Sequence, residues 1–260
     1  MPNKLLGQHF LKNGAAVNAA VKALALKGGE AVFEIGPGHG ELTQALASAC
    51  KEKSATLVTI EKDPRLAERL REKFPETEVV TEDALRFFAA PFPGDRIAAG
   101  KEYLMVGNIP YYLTGHLLRA VSELERRPAR CIFMVQKEVA LRAVAEPPKM
   151  NRLAASVQFW ASPLILLSLS RDDFNPKPEV ESSLVLFEAK TTPAITGERY
   201  FSAVRMLFAQ PRKTILNNLA AHTEKKDAIT LALGKLAIKP GDRPQNLTIQ
   251  NIADIAQALF

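Results

Sequence analysis

Short apolar runs of strand length alternate with stretches of helical periodicity over much of the chain, and this alternation restricts the possible folds more than any other feature. The apolar runs cover residues 31–35, 56–60, 78–81, 103–106 and 131–135. Helical patterns separate most of them, at residues 41–50, 64–73, 114–125 and 138–145. Strands and helices that alternate at this spacing are typical of βαβ units. The sequence therefore predicts an α/β fold with a mostly parallel sheet.

The next part of the chain carries two further strands with a different connection. A helical pattern at 151–160 precedes apolar runs at 164–170 and 183–188. The loop between these two runs is too short to hold a crossover helix. We therefore expect this pair of strands to be antiparallel, in contrast to the rest of the sheet.

The C-terminal part of the chain changes character. Residues 190–197 are rich in Thr, Pro and Gly and predict a linker. Helical patterns follow at 198–208, 211–221, 225–236 and 248–259, with Pro211 suited to a first helical position. The sequence thus predicts two domains, an α/β domain at 1–190 and a small all-helical domain at 191–260.

Composition indicates an ordinary globular protein with an excess of positive charge. Of the 260 residues, 47% are hydrophobic and 24% are charged, and the net charge is +6. Cys50 and Cys131 have neither metal-ligand spacing nor a disulfide framework, so we expect reduced core residues and no metal site. No apolar stretch is long enough to span a bilayer and the N-terminus lacks a signal-peptide core. These features predict a cytoplasmic protein.

Basic residues concentrate near the C-terminus, which favours an anionic partner. They are Arg199, Arg205, Arg212, Lys213, Lys225 and Lys226. The alternative on charge alone is a solvated helix face without a partner.

A glycine-rich turn follows the first predicted strand. Gly36, Gly38 and Gly40 form G-x-G-x-G at a strand-to-helix junction, where missing Cβ atoms let a ligand approach the backbone. The spacing departs from the dinucleotide fingerprint G-x-G-x-x-G. The second strand ends at Glu61, which is placed to accept hydrogen bonds from ribose hydroxyls. The glycine-rich turn and Glu61 together indicate a site for a nucleoside, and they fit NAD and S-adenosylmethionine equally.

The third strand is followed by Asp83 and Ala84. Asp83 could accept the exocyclic amine of a bound adenine, with the Ala84 N–H aimed at a ring nitrogen. Its alternative role is the N-cap of the helix that follows, and the two roles can coexist. Because ligands of open α/β sheets bind at the carboxyl ends of the strands, these three strand ends predict one site.

The fourth strand brings the sequence NIPY to the same place. An aromatic amine attacks an electrophile only when conjugation of its lone pair with the ring is weakened. The side-chain oxygen of Asn108 and a backbone carbonyl of Ile109 or Pro110 could accept both N–H groups and achieve this, while Tyr111 stacks on the ring. Asn-X-Pro-Tyr resembles the motif of S-adenosylmethionine-dependent methyltransferases that act on exocyclic amines. A turn with a surface tyrosine is the structural alternative.

Four more segments extend this resemblance over nearly the whole chain. They are GQHFLKN at 7–13, MVQKEVALR at 134–142, FNPKPEVESS at 174–183 and QPRKTILNNL at 210–219. Each is similar, in this order, to a motif of the rRNA adenine N6,N6-dimethyltransferase family. Pro211 stands where that family usually has an arginine, which removes one cation from an expected RNA contact.

The resemblance implies a Rossmann-like class I methyltransferase fold, with a mostly parallel seven-stranded sheet that contains an antiparallel strand, and the family's activity on RNA. The implied enzyme uses S-adenosylmethionine to dimethylate two adjacent adenosines near the 3′ end of 16S rRNA in the small ribosomal subunit. It also implies that His9 and Leu11 lie along the cofactor, and that Phe174 closes over the target base opposite Tyr111. The helical domain would contact RNA through Arg205, Arg212 and Lys213. We expect a monomer, because no apolar stripe requires a partner.

Three other functions compete with this interpretation. The first is a 23S rRNA adenine methyltransferase of the macrolide-resistance type, which shares the catalytic motifs but is disfavoured by QPRKTILNNL and MVQKEVALR. The second is an NAD oxidoreductase, which would leave Asn108, Tyr111 and the basic helical tail without a role. The third is a non-catalytic RNA-binding assembly factor, against which the intact Asn108 and Glu61 argue.

Overall fold

The structure of the protein, a computed structural model, describes residues 9–89, 96–221 and 226–260. Gly7 and Gln8 of the N-terminal motif and the basic residue Lys225 lie outside these ranges. The strands are β1 (Phe10–Leu11), β2 (Ala31–Ile35), β3 (Thr56–Glu61), β4 (Glu78–Thr81), β5 (Tyr103–Asn108), β6 (Arg130–Gln136), β7 (Ala161–Leu169), β8 (Phe174–Asn175) and β9 (Ser182–Ala189). The helices are α1 (Gly14–Leu24), α2 (Glu41–Glu52), α3 (Pro64–Lys73), α4 (Ala84–Ala89), α5 (Thr114–Glu123), α6 (Lys137–Ala143), α7 (Arg152–Val157), α8 (Gly197–Leu207), α9 (Ile215–Ala220), α10 (Lys226–Lys235) and α11 (Ile249–Leu259). Within these ranges, no helix is long and apolar enough to cross a membrane.

The main sheet of the described chain has seven strands in the order β4-β3-β2-β5-β6-β9-β7. β2 pairs in parallel with both β3 and β5, and the β3–β4 and β5–β6 pairs are parallel as well. β9 runs antiparallel to β6 and has β7 as its other neighbour. The predicted fold class, a mostly parallel seven-stranded sheet with an antiparallel strand, is confirmed.

The central strand β2 is covered by helices on both faces. All five of its residues are buried, and its sequence AVFEI is apolar except for Glu34, as is typical of a strand of a parallel sheet. On one face, Val32 belongs to a cluster with Ala20 of α1 and Leu46 of α2. On the other face, the ring of Phe33 meets the ring of Phe88 of α4 edge-on, with centroids 5.8 Å apart. The result is a helix–sheet–helix arrangement around β2.

The strand order reverses at β2, and this reversal positions the site. The chain proceeds from β2 through β3 to β4 at one edge, and β5 then joins β2 on its other side. Ile35 at the end of β2 lies opposite Ile60 of β3 and Gly107 of β5. The segments that follow these strands therefore emerge side by side, in the crevice where open α/β sheets bind ligands.

The N-terminal segment pairs with a segment far along the chain, a contact that the sequence did not predict. β1 pairs antiparallel with β8, with Leu11 opposite Phe174. Helix α1 follows, and the side chain of its N-cap Asn13 accepts a hydrogen bond from the Ala16 N–H at 3.1 Å. The same side chain donates to Asp173 Oδ1 at 2.8 Å. The two motifs that carry these residues thus form one substructure.

The chain divides into two compact units, and one boundary differs from the prediction. The first unit comprises residues up to Ala140 together with Ser162–Ala189, and the second comprises Leu141–Ala161 and Lys190–Phe260. The second stretch of the helical unit begins at Lys190, next to the predicted division, and residues 141–161 group with the same unit. The assignment of the two domains to cofactor and RNA binding stays a prediction. In that unit the Phe159 and Tyr200 rings stack with centroids 4.1 Å apart, and the Tyr200 hydroxyl donates to the Ala155 carbonyl at 3.0 Å.

The helix predicted at 211–221 is shorter than expected. Residues 208–213 form turns, and α9 begins only after Thr214. The Thr214 side chain accepts a hydrogen bond from the Asn217 N–H at 3.2 Å, which makes it the N-cap. Pro211 therefore lies in the turn and not at a first helical position, because the threonine cap three residues later sets the start of the helix.

Candidate active site

A cleft of about 750 Å³, its open mouth included, lies at the carboxyl ends of the parallel strands. Nine of the predicted site residues line it: His9, Gly36, Gly38, Glu61, Asp83, Ala84, Asn108, Pro110 and Tyr111. Leu11 lines a smaller adjoining pocket, which shares Gly36 and Asn108 with the cleft.

The glycine turn forms one wall of the cleft. Gly36, Gly38 and Gly40 have φ angles of +66°, +61° and +87°, in the left-handed region that favours glycine. A Cβ atom on Gly38 would lie 2.6 Å from the ring of Phe10. The N-terminal segment therefore packs so closely on this turn that a side chain would fill the space between them. Contact of this turn with a ligand stays a prediction.

Glu61, at the end of β3, is held in place by backbone donors. Its side chain is 6% exposed, and its two carboxylate oxygens accept hydrogen bonds from the Asp63 N–H at 2.9 Å and the Gly38 N–H at 3.3 Å. Burial raises the pKa of Glu61, although these two hydrogen bonds oppose the shift. A carboxylate fixed in this way at the cleft wall is suited to accept hydrogen bonds from a ribose.

Asp83 caps a helix and forms an ion pair, while its contact with an adenine stays a prediction. Its Oδ1 accepts the Leu85 N–H at 2.9 Å, so it caps α4. Its Oδ2 lies 2.9 Å from the Lys62 ammonium, at the cleft wall. Burial alone would raise the pKa of Asp83, but the hydrogen bonds from Lys62 and Leu85 lower it below its ordinary value. Asp83 is thus an anionic acceptor that forms an ion pair with Lys62.

Asn108, the last residue of β5, has a fixed orientation. Its side-chain N–H group donates to the backbone carbonyl of His9 at 2.5 Å. Its Oδ1 accepts no hydrogen bond from any described residue and belongs to a side chain that lines the cleft. The neighbouring carbonyl of Pro110 already accepts the Leu113 N–H at 2.8 Å, which favours Ile109 as the second backbone acceptor. The residue is therefore oriented as an acceptor.

Tyr111 is anchored more firmly than its sequence position indicated. Its hydroxyl and the buried Ser182 Oγ share a hydrogen bond of 2.8 Å, and its ring stacks on His9 with centroids 5.7 Å apart. Burial raises the pKa of Tyr111, so its hydroxyl is neutral near pH 7. His9 is itself fixed by a 2.8 Å contact between its Nδ1 and the Pro176 carbonyl. The N-terminal motif therefore positions both functional residues of NIPY.

Phe174 is not brought into the cleft. Its side chain is 2% exposed and belongs to the apolar cluster that contains Leu11 and Met134. The structure thus places Phe174 in the apolar core beside its β1 partner, and it is not among the residues that line the cleft. Its predicted place over the target base stays a prediction.

Glu34 is a residue of the site that the sequence analysis missed. It lies within β2, is fully buried and lines the small pocket beside the glycine turn. Its Oε2 accepts a hydrogen bond from Thr43 Oγ1 at 2.7 Å, whereas its Oε1 has no partner among the described residues. Burial raises the pKa of Glu34 to about 8, with the Thr43 hydrogen bond opposing the shift. The available signal was a lone acid inside an otherwise apolar strand.

The predicted RNA-contacting cations lie on the surface of the second unit. Arg205, Arg212 and Lys213 are exposed, the last two on the turn before α9. Asn218 is buried and holds this turn: its Oδ1 accepts the Gln210 N–H at 3.0 Å and its Nδ2 donates to the Gln210 carbonyl at 3.0 Å. Asn218 is thus a second residue that the sequence analysis missed, and its contacts explain the second asparagine in QPRKTILNNL.

The sheet order and the cleft define a class I methyltransferase fold, and two solved structures share it over almost their whole length. The 23S rRNA methyltransferase ErmE is 25% identical, with a TM-score of 0.73 over 96% of this chain and 99% of that one. A dimethyladenosine transferase from Plasmodium falciparum is 23% identical, with a TM-score of 0.79 over 95% and 96% of the two chains.

The sequence comparisons then identify the family. The model of the family "Ribosomal RNA adenine dimethylase" matches residues 2–259, and the chain belongs to this family. Curated relatives named ribosomal RNA small subunit methyltransferase A include those of Acidobacterium capsulatum, 36% identical over 98% of this chain and 90% of the relative, and Dehalococcoides mccartyi, 33% identical over 95% and 84%. The protein is therefore a methyltransferase. The predicted family, fold class and enzyme activity are confirmed.

Proposed function

We propose that this enzyme transfers methyl groups from S-adenosylmethionine to the N6 amines of two adjacent adenosines near the 3′ end of 16S rRNA in the small ribosomal subunit. The proposal rests on the fixed orientation of Asn108, on the family membership and on the names of the curated relatives. The cytoplasmic location and monomeric state remain predictions.

The residues of the cleft fit S-adenosylmethionine as cofactor, which when bound supplies an electrophilic methyl group on its sulfonium sulfur. A Cβ atom on Gly38 would clash with the Phe10 ring, and the positive φ of Gly36 would strain any other residue, so both positions leave bare backbone at the cleft wall. Glu61 would hold the ribose, and Asp83 the adenine amine, next to the Ala84 N–H. The small pocket lined by Glu34 and Leu11 would take the amino-acid tail, because the unpaired Oε1 of Glu34 is an acceptor for an ammonium group.

Asn108 would activate the target amine. Because the His9 carbonyl binds the N–H end of the Asn108 amide, the Oδ1 end is left to accept one amine N–H. The Ile109 carbonyl would accept the other, since that of Pro110 is already engaged. Two acceptors placed in this way would draw the nitrogen towards tetrahedral geometry and free its lone pair for attack.

Tyr111 would hold the ring of the target adenine by stacking. Its hydroxyl bond to Ser182 and its contact with His9 fix the plane of the ring before the base arrives. A general base is not required, because the nitrogen becomes acidic on methylation and loses its proton to water or to Asn108 Oδ1. Since Phe174 is buried in the core, the opposite face of the base needs another partner or a rearrangement of β8.

Two alternatives are disfavoured by specific observations. An NAD oxidoreductase would have no use for the oriented Asn108 amide. The 23S-directed activity of the macrolide-resistance type has support in the likeness to ErmE, but the relatives named for the small subunit show higher identity, 32–37% against 25%. Erythromycin resistance in cells that express this protein would reverse the choice between the two rRNAs.

The test is a single-turnover assay of labelled methyl transfer to undermethylated small subunits. Asn108→Ala should slow methylation by ~10²–10³, the effect of one lost transition-state acceptor, while subunit binding stays intact. Asn18→Ala, an exposed asparagine of α1, is the matched control and should react at the wild-type rate. A wild-type rate in Asn108→Ala would refute the role of the amide. Inactivity of the wild-type protein on small subunits, with activity on 23S rRNA, would refute the substrate.

A further inference from the structure

Tyr112 exposes its ring at the edge of the cleft. It exposes 54% of its surface, more than any other tyrosine, phenylalanine or tryptophan that the structure describes. It follows Tyr111 directly in the chain, and both line the cleft. The contacts of the two tyrosines differ sharply, because Tyr111 is anchored to Ser182 and His9, whereas the Tyr112 ring takes part in no ring contact or side-chain hydrogen bond found within the described residues.

The position of Tyr112 makes its exposure informative. Single exposed apolar side chains are common and need no explanation by themselves. This ring, however, lies on the turn that presents the proposed amine acceptors, with Lys62 on the same cleft wall. The charge of Asp83 and its hydrogen bond raise the pKa of Lys62, and the Tyr112 hydroxyl contributes to the shift. The edge of the cleft therefore combines an open aromatic face with a cation, the pair that single-stranded nucleic acids bind.

Chemistry on a base inside a strand leaves its neighbour exposed. A base that enters an active site leaves the stack, so the adjacent nucleotide loses a stacking partner. Consecutive Cα atoms are about 3.8 Å apart, close to the roughly 3.4 Å that separates neighbouring bases along a strand. An aromatic ring one residue further along the chain is thus at the right scale to replace the lost partner.

We propose that Tyr112 stacks on the base of the nucleotide adjacent to the target adenosine. The proposal rests on the proposed function of the cleft. It makes Tyr112 a residue that positions the substrate: Tyr111 holds the base that reacts, and Tyr112 holds its neighbour outside.

Steady-state methylation with varied RNA substrate tests this role. Tyr112→Ala should raise KM for the RNA about tenfold, since base–aromatic stacking changes affinity on this scale. Most of the loss in kcat/KM should therefore come from KM and not from kcat. Tyr112→Phe keeps the ring and should restore KM to within about twofold of the wild type. Leu164→Ala removes an equally exposed apolar side chain, 57% exposed on β7, and is the matched control. Calorimetry of S-adenosylmethionine binding should give the same affinity in all four proteins.

Three results would overturn the assignment. One is an unchanged KM in Tyr112→Ala. Another is a loss in Tyr112→Phe as large as in Tyr112→Ala, which would assign the effect to the hydroxyl. The third is weakened cofactor binding, which would make Tyr112 part of the cofactor site. These results can be distinguished from failure of the proposed function. The variants are compared on whichever rRNA the wild-type protein methylates, so an error in the proposed substrate does not affect the comparison.

Discussion

Replacing Glu34 with glutamine removes a carboxyl group that the fold keeps protonated. Burial raises its pKa from 4.5 to about 8, against the opposing hydrogen bond from Thr43, and the charges of Glu61 and Glu41 add to the shift. Because the folded-state pKa lies above that of the unfolded chain, the folded protein holds a proton that the unfolded chain releases between these two values. The free energy of unfolding therefore falls as pH rises through this window.

The expected magnitude follows from the interval between the two pKa values. At about 1.4 kcal/mol per unit, the interval from 4.5 to pH 7 corresponds to about 3 kcal/mol of lost stability at pH 7. Glutamine has no such proton, so the free energy of unfolding of Glu34→Gln should rise relative to that of the wild type by about this amount between pH 4.5 and 7. The extra N–H group of the glutamine shifts the free energy of unfolding equally at every pH. The test is therefore the pH dependence of the difference between the variant and the wild type, and not its absolute size.

The assay is urea denaturation, followed by circular dichroism, at half-unit steps from pH 4.5 to 8.5. Glu68→Gln, an exposed carboxylate of α3, is the matched control and should follow the wild-type curve. A stability difference between Glu34→Gln and the wild type that does not change with pH would refute the reasoning. Calorimetry in two buffers adds a second arm: if Glu34 holds the cofactor ammonium, binding near pH 7 should release a proton in the wild type and none in Glu34→Gln.

Two further variants test the cofactor wall and the basic turn. Glu61→Ala should weaken S-adenosylmethionine binding by about 1.5–3 kcal/mol in calorimetry, the scale of a charge-assisted hydrogen bond, and an unchanged affinity in a folded variant would contradict the ribose role. The double variant Arg212→Ala/Lys213→Ala should weaken binding to small subunits and reduce its salt slope by about two, one per lost phosphate contact, with cofactor affinity as the internal control. Subunit binding with an unaltered slope would show that the turn is only a solvated surface.

Local chemistry made the strand ends predictable. Glu61, Asp83 and Asn108 each follow or end an apolar run, and parallel strands bring such positions to one edge of the sheet. Features that depend on contacts between distant segments were not predictable in the same way. Phe174 turns into the core because it pairs with Leu11, and nothing near it in the sequence announces that pairing.

The remaining differences have local causes that compete with the patterns used. Thr214 caps α9 and displaces Pro211 into a turn, so the helix start follows the cap and not the proline. Residues 141–161 were assigned to the α/β domain by their place in the chain, whereas the Tyr200 contacts group them with the helical unit. Glu34 was passed over because the apolar pattern of β2 is complete without it.

The pairing of β1 with β8 has a consequence for synthesis of the enzyme. The His9 ring contacts the Pro176 carbonyl across 167 residues, and the carbonyl of the same residue orients Asn108. During translation the sheet can assemble from β2 to β6 well before residue 176 leaves the ribosome. The segment that carries His9 has no strand to pair with until then. A growing chain therefore acquires its methylation chemistry late, once β8 has emerged, and the same strand pair is where we expect the finished cleft to come apart first.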